Sequence, residues 1–194
     1  MNPKKIGTLL FGILISATIC FARPEPVGDS TAEKQPKPAD TSSSHKLYVQ
    51  FGLMYERNNH RTTNYRKGIL VPVNTEVALV KKTKKTIVVA LPGGNDLTIE
   101  NIEPYSGETI DGIFARTFST NKVDLSPFSD VEKKGITAGE VRVGMSKRAV
   151  VVAIGYPPKH KTPSLDSNQW RYWRNRFATF VVHFEDDKVS SIQE

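Results

Sequence analysis

The strongest constraint on this chain lies in its last third, Gly139 to Gln193, where two turns bracket a short helix and a tryptophan-rich segment leads into an alternating strand. Ser146 is placed to cap a helix, Met145 and Val150 are spaced as a hydrophobic staple across that cap, and Gly155 followed by Pro157 and Pro158 stops it. The helix is therefore limited to about two turns. Beyond it Phe180, Val182 and Phe184 alternate with Thr179, Val181 and His183, and Glu185 to Lys188 supplies a turn before Val189 to Ile192. The segment predicts a meander of strands packed on a helix.

The preceding stretch has a different rhythm. Leu47, Val49 and Phe51 alternate with Tyr48 and Gln50 as in a strand, and Arg57 to Asn64 reads as a polar loop. Four further strands are expected at Gly68 to Val73, Glu76 to Lys81, Thr86 to Leu91 and Leu97 to Ile102. Pro72 to Asn74, Lys82 to Lys85 and Pro92 to Asp96 read as hairpin connections between them. Short antiparallel strands in this order suggest a small barrel or curled sheet. A closing helix follows, with Tyr105 and Ile110 straddling Ser106 as a staple straddles a cap, and with Ile110, Phe114 and Phe118 recurring every four residues. Gly112 weakens this helix, while Glu108 and Asp111 near its start and Arg116 near its end suit the helix dipole. A second short helix is expected from Pro127, after Ser126, through Val131 and Glu132 to Gly135.

The expected fold class is α+β: a small antiparallel β-barrel or curled sheet with a closing helix over residues 46–122, then a helix-plus-three-stranded antiparallel sheet over residues 123–194. Ahead of both, Lys4 and Lys5 precede an apolar run from Ile6 to Ile19, which is shorter than the roughly 20 residues that span a bilayer. Residues 1–22 read as a signal peptide cut after Ala22. Cys20 is the sole cysteine and offers a second outcome, lipid attachment at the cleavage site, against which the bulky Ile19 just before it argues. Residues 23–45 read as a disordered linker: from Pro24 to Ser44 there are four prolines, no aromatic residue and one large aliphatic, Val27.

Removal of Lys4 and Lys5 with the signal leaves 25 basic against 20 acidic residues, a net charge of +5. This moderate excess suits acidic partners such as phospholipid headgroups or anionic cell-wall polymers, but the cations are interspersed with acids as on an ordinary solvated surface. Nucleic acid is not an expected partner of an exported chain.

The C-terminal part resembles the SmpA/OmlA domain of the BamE family of outer-membrane assembly proteins. The likeness rests on Gly144-Met145-Ser146, Val150, Gly155-Tyr156-Pro157, Trp170-Arg171-Tyr172, Val182-His183-Phe184 and Lys188-Val189. The resemblance implies an envelope protein, typically lipid-anchored, in which two helices cover one face of the sheet and the positions of Trp170 and Tyr172 belong to the core between them.

No catalytic constellation emerges. His45, His60, His160 and His183 are far apart and outside any HxH or HExxH spacing, and GxSxG, SxxK and paired-carboxylate motifs are absent from the sequence. Pro92-Gly93-Gly94-Asn95 lacks the GK[ST] ending of a phosphate loop and reads as a turn. No enzyme activity, cofactor or metal is expected.

The candidate binding residues are Arg171, Trp173, Arg174 and Arg176, in a run where Trp170 and Tyr172 share one side of a strand while Arg171 and Trp173 share the other. Trp, Tyr and Arg are the types enriched at binding hot spots. Trp173, Arg174 and Arg176 are expected to stand exposed at the strand end. The functional expectation is a non-enzymatic exported envelope adaptor, in the periplasm or at the periplasmic face of the outer membrane, that assists outer-membrane protein assembly or envelope integrity through protein–protein contacts. Two alternatives stand beside it: a cell-wall or anionic-lipid binding module gripping through Lys81, Lys82, Lys84 and Lys85, and a secreted enzyme inhibitor of the β-lactamase-inhibitor type.

Overall fold

A computed structural model describes residues 46–194. The expected signal peptide, Cys20 and the linker lie outside the described residues. Those that are described belong to one compact body of mixed α+β structure.

Its first part is a curled six-stranded sheet. The strands are β1 (Leu47–Val49), β3 (Asn59–Arg61), β5 (Glu76–Lys82), β6 (Thr86–Ala90), β7 (Asp96–Glu100) and β8 (Phe118–Ser119), in the order β3-β7-β6-β5-β1-β8. All neighbours are antiparallel except β3 and β7. Period-two burial places Ile87 and Val89 of β6 and Leu97 and Ile99 of β7 on the inner face. Across it lies α2 (Ile110–Thr117), which contributes Ile110 and Ile113. Burying each such aliphatic contributes about 1.5–3 kcal/mol relative to leaving it in water.

Three expectations fail here, each because a distant partner overrides a local pattern. The Arg57 to Asn64 segment is not simply a polar loop. Arg57 and Asn58 form a tight turn at positive φ, and Asn59–Arg61 then pairs in parallel with β7, burying His60. Pro72 to Asn74 is not a hairpin connection, because β4 (Ile69–Val71) pairs with β2 (Leu53–Tyr55) in a separate ribbon while β5 pairs with β1 and β6. Ser106 does not cap the closing helix. It ends a single turn, α1 (Glu103–Ser106), and the hydroxyl that accepts from Gly112 N at 3.2 Å belongs to Thr109. The other two expected hairpins, at Lys82 to Lys85 and Pro92 to Asp96, join β5 to β6 and β6 to β7.

The second part sets α3 (Asp130–Ala138) and α4 (Lys147–Ile154) with a three-stranded antiparallel sheet of β9 (Gln169–Trp173), β10 (Thr179–Glu185) and β11 (Lys188–Gln193), in the order β11-β10-β9. Ser146 caps α4, accepting from Ala149 N, and Gly155 follows its last turn. Met145, Val150, Ile154, Trp170, Tyr172 and Val182 are at most 2% exposed and form one core. The second helix starts later than expected and runs past Gly135. Its cap is Ser129, which with Glu132 makes a reciprocal capping box.

Glu132 has a second task. Its Oε1 accepts from Ser146 N at 2.9 Å and from the Ser146 hydroxyl at 2.6 Å, so one carboxylate ties the starts of α3 and α4 together. Burial acts to raise this carboxyl, but the hydrogen bonds from Ser146 and Ser129 outweigh it and bring it down to about 2.

The two cores meet around Gly52 and Arg66. Gly52 N donates to Val152 O at 3.0 Å, and a Cβ on Gly52 would lie 2.3 Å from Ala153 O, so only glycine allows this approach to α4. Gly52→Ala is expected to cost about 1–3 kcal/mol in a denaturant titration; an unchanged midpoint would mean that the approach is looser than described. For Glu132, a folded value near 2 against an ordinary 4.5 means that its stabilisation is complete above about pH 4.5 and is lost as the pH falls toward 2. Glu132→Gln is therefore expected to lower the melting temperature at neutral pH, with the gap from the parent chain closing in acid. A gap of equal size at neutral pH and at about pH 2.5 would contradict the clamp.

Candidate functional site

The hairpin β9–β10 carries the expected binding residues, and its tip is built by one asparagine. Arg174 N donates to Ala178 O at 2.9 Å, and Asn175 Oδ1 accepts from Phe177 N at 2.8 Å and Ala178 N at 3.1 Å. This side-chain turn needs no tertiary support. It projects Phe177 into solvent at 84% exposure, with the Arg176 guanidinium 4.9 Å above its ring.

Strand alternation separates the four candidates. Arg171 and Trp173 fall on one face. Arg174 follows Tyr172 on the other, where its guanidinium sits 5.3 Å over the Phe180 ring and pairs with Glu194. Arg176 stands at the tip, and Arg171 is exposed, reaching Thr179 Oγ1 at 3.4 Å. Trp173 departs from the expected exposure. Its ring stacks on His160 at 6.3 Å, its carbonyl accepts from Arg66 N at 2.9 Å, and its indole Nε1 is buried without a partner. His160, itself exposed, meets Tyr105 edge-on at 4.4 Å, and partial burial followed by the Lys161 charge lowers its imidazole, against a hydrogen bond that the ring donates to the Tyr105 backbone. Trp173 therefore closes the seam between β9 and the first part of the chain. Phe177 takes its place as the projecting aromatic; the Asn175-x-Phe177 turn after β9 was its sequence signal.

Sequence reading missed Arg66. Its Nη1 donates to Gly52 O and Ile154 O, both at 3.2 Å, and to Asn64 Oδ1 at 3.4 Å, while Nη2 donates to Gly139 O at 3.1 Å. Among the described residues it has no carboxylate partner. Gly139 ends α3 and Ile154 ends α4, so the cation sits where two helix dipoles present their negative ends. Burial pulls the guanidinium down to about 10, and it stays charged at neutral pH. Asn64 Nδ2 donates beside it to Ile154 O at 2.8 Å and Tyr156 O at 2.9 Å, and Tyr172 OH donates to Gly155 O at 3.0 Å.

Two clefts adjoin these groups. One of about 390 Å³ is bounded by Arg66, Met54, Val141, Arg174, Phe180 and Ile192. The other, about 540 Å³, lies by α2 and the Tyr156–Leu165 segment, where Arg116 sits 4.9 Å over Tyr156 and 4.0 Å from Glu108.

The histidines stay apart in environment. Burial lowers the imidazole of His60 to about 4, its Nδ1 2.8 Å from Met54 O, and His183 lies on β10 beside Gln193. Among the described residues no group of three or more His, Cys, Asp or Glu is placed to hold a metal ion, and no helix is long and apolar enough to cross a membrane. In comparisons with family models, curated proteins and solved structures, none matches this chain.

Trp173→Ala is expected to cost about 1–3 kcal/mol of stability, whereas Arg174→Ser with Arg176→Ser should cost less than about 1 kcal/mol, because both guanidiniums are exposed. Calorimetric unfolding of the two variants checks this; equal losses would place the arginines in the packed seam.

Proposed function

We propose that this chain is a non-enzymatic exported envelope adaptor that holds a partner protein through the tip of the β9–β10 hairpin. The observation that carries the reading is Phe177, fully displayed on a turn that Asn175 pre-orders and flanked by Arg176. A rigid exposed aromatic beside a guanidinium loses little entropy on docking and buries a large apolar area. The order of two helices followed by three antiparallel strands supports assigning residues 123–194 to a BamE-like module at the periplasmic face of the outer membrane.

One observation favours a second reading, the anionic-surface module. Leu79 and Val80 are 40% and 55% exposed on β5, next to Lys81, Lys84 and Lys85, which have no acidic partner among the described residues; Lys82 pairs with Asp111 at 2.7 Å. Exposed aliphatics beside free lysines suit an anionic lipid or cell-wall surface.

The experiment is cross-linking from a photoreactive residue at position 177 in envelope extracts, alongside affinity capture by the parent and by Phe177→Ser with Arg176→Ser. The adaptor reading expects one dominant cross-linked protein and at least a tenfold loss of its capture by a variant with unchanged melting. Undiminished capture by that variant would remove the hairpin tip as the docking site. Salt-sensitive binding to anionic vesicles or sacculi that disappears with Lys81, Lys84 and Lys85 changed to Ser would favour the second reading.

A further inference from the structure

The cleft beside Arg66 combines a half-buried cation with a wall of mixed apolar and charged side chains. Gly52, Ile154, Gly139 and Asn64 supply only carbonyl oxygens to the guanidinium, and all four contacts fall on Nη1 and Nη2. Nε–H has no acceptor among the described residues, and no guanidinium nitrogen is both sealed from solvent and unpartnered. The half-buried guanidinium thus keeps a donor that only solvent meets, and no carboxylate among the described residues is bonded to it. The acids on the cleft wall are already engaged: Glu140 pairs with Arg142 at 3.3 Å, and Glu194 with Arg174. In the larger cleft Arg116, by contrast, has Glu108 at 4.0 Å.

We infer that this cleft binds a small amphipathic carboxylate, its head on Arg66 and its apolar body against Met54, Val141, Phe180 and Ile192. A carboxylate meets a guanidinium through charge-assisted hydrogen bonds that a neutral head cannot reproduce, and it supplies the carboxylate partner that Arg66 itself lacks. The volume of about 390 Å³ lies in the range of small-molecule sites, and the lining mixes apolar side chains with two cations, Arg66 and Arg174, and two acids, Glu140 and Glu194, each engaged with an arginine. A cationic head offers no acceptor to the guanidinium, and a purely apolar ligand would displace solvent from Nε–H without replacing its hydrogen bond. Arg174 at the rim adds a second positive charge once its Glu194 partner moves aside.

Titration of the protein with decanoate, decanol and decylamine, followed by NMR amide shifts, tests this. Decanoate is expected to saturate one site and to shift the amides of Arg66, Gly139 and Ile192, with decanol at least tenfold weaker and decylamine inert. Val141→Trp fills the cleft without touching the guanidinium; it should abolish decanoate binding while circular dichroism stays native. Arg66→Lys, if folded, should weaken binding at least tenfold, and Val141→Trp decides alone if it does not fold. A capped tripeptide with aspartate between two leucines serves as a second arm. Binding of decanoate alone would identify a free amphiphile as the source of the carboxylate, and binding of the peptide alone would identify a partner segment. No binding of either at millimolar concentration, equal affinity for decanol and decanoate, or decanoate binding that survives Val141→Trp would each overturn the site.

Discussion

A single guanidinium organises the described part of the molecule. Arg66 lies where α3 and α4 both end and where the β2–β4 ribbon meets them, and it donates to a carbonyl from each element: Gly139 O, Ile154 O and Gly52 O. Helix C-termini leave their last carbonyls without intrahelical partners, and burying them unmet would cost about 1–3 kcal/mol each. Arg66, Asn64 and Tyr172 meet them from outside the helices. At the opposite end of the pair, Glu132 meets the donors at the start of α4. The helices of the second part are short, eight or nine residues, so fixing both ends is what makes them stable.

The same arrangement shapes the surface. Because Arg66 N donates to the Trp173 carbonyl, the first part of the chain grips the edge of β9, and Trp173 is drawn into the seam with His160. The hairpin tip beyond it is left rigid and free, displaying Phe177. On the other face, the carbonyl-lined pocket that holds the Arg66 charge opens into the cleft lined by Met54, Phe180 and Ile192 together with Glu140 and Arg174. The adaptor reading and the carboxylate site therefore depend on one interaction but use different faces of one hairpin.

What the sequence made legible was local. Ser146 and Gly155 delimit α4 by chemistry within a few residues, and the alternation of Phe180, Val182 and Phe184 fixes the buried face of β10, with Trp170 and Tyr172 opposite on β9. The capping box was equally local, Ser129 with Glu132 three residues on, but Ser126 before Pro127 competed for the same helix start. Nothing local marked the remainder. Asn59–Arg61 becomes a strand only because β7 lies alongside in parallel, about forty residues away in sequence, and β4 turns to β2 rather than to β5. Arg66 looks like any loop arginine until two helix ends converge on it. Of the expected site, Arg174 and Arg176 are exposed as their sequence suggested. Trp173 is not, because the residues covering it, Tyr65, Arg66 and His160, lie outside its strand.

By bonding carbonyls of both parts, Arg66 is expected to couple the two cores into one cooperative body. Residue-resolved hydrogen exchange of the parent chain and of Arg66→Met measures this directly, with the amides of Ile87 and Val89 reporting the first core and those of Val150 and Val182 the second. Protection is expected to fall in both cores together and by similar factors. Loss confined to one core, with the other as protected as in the parent, would contradict it.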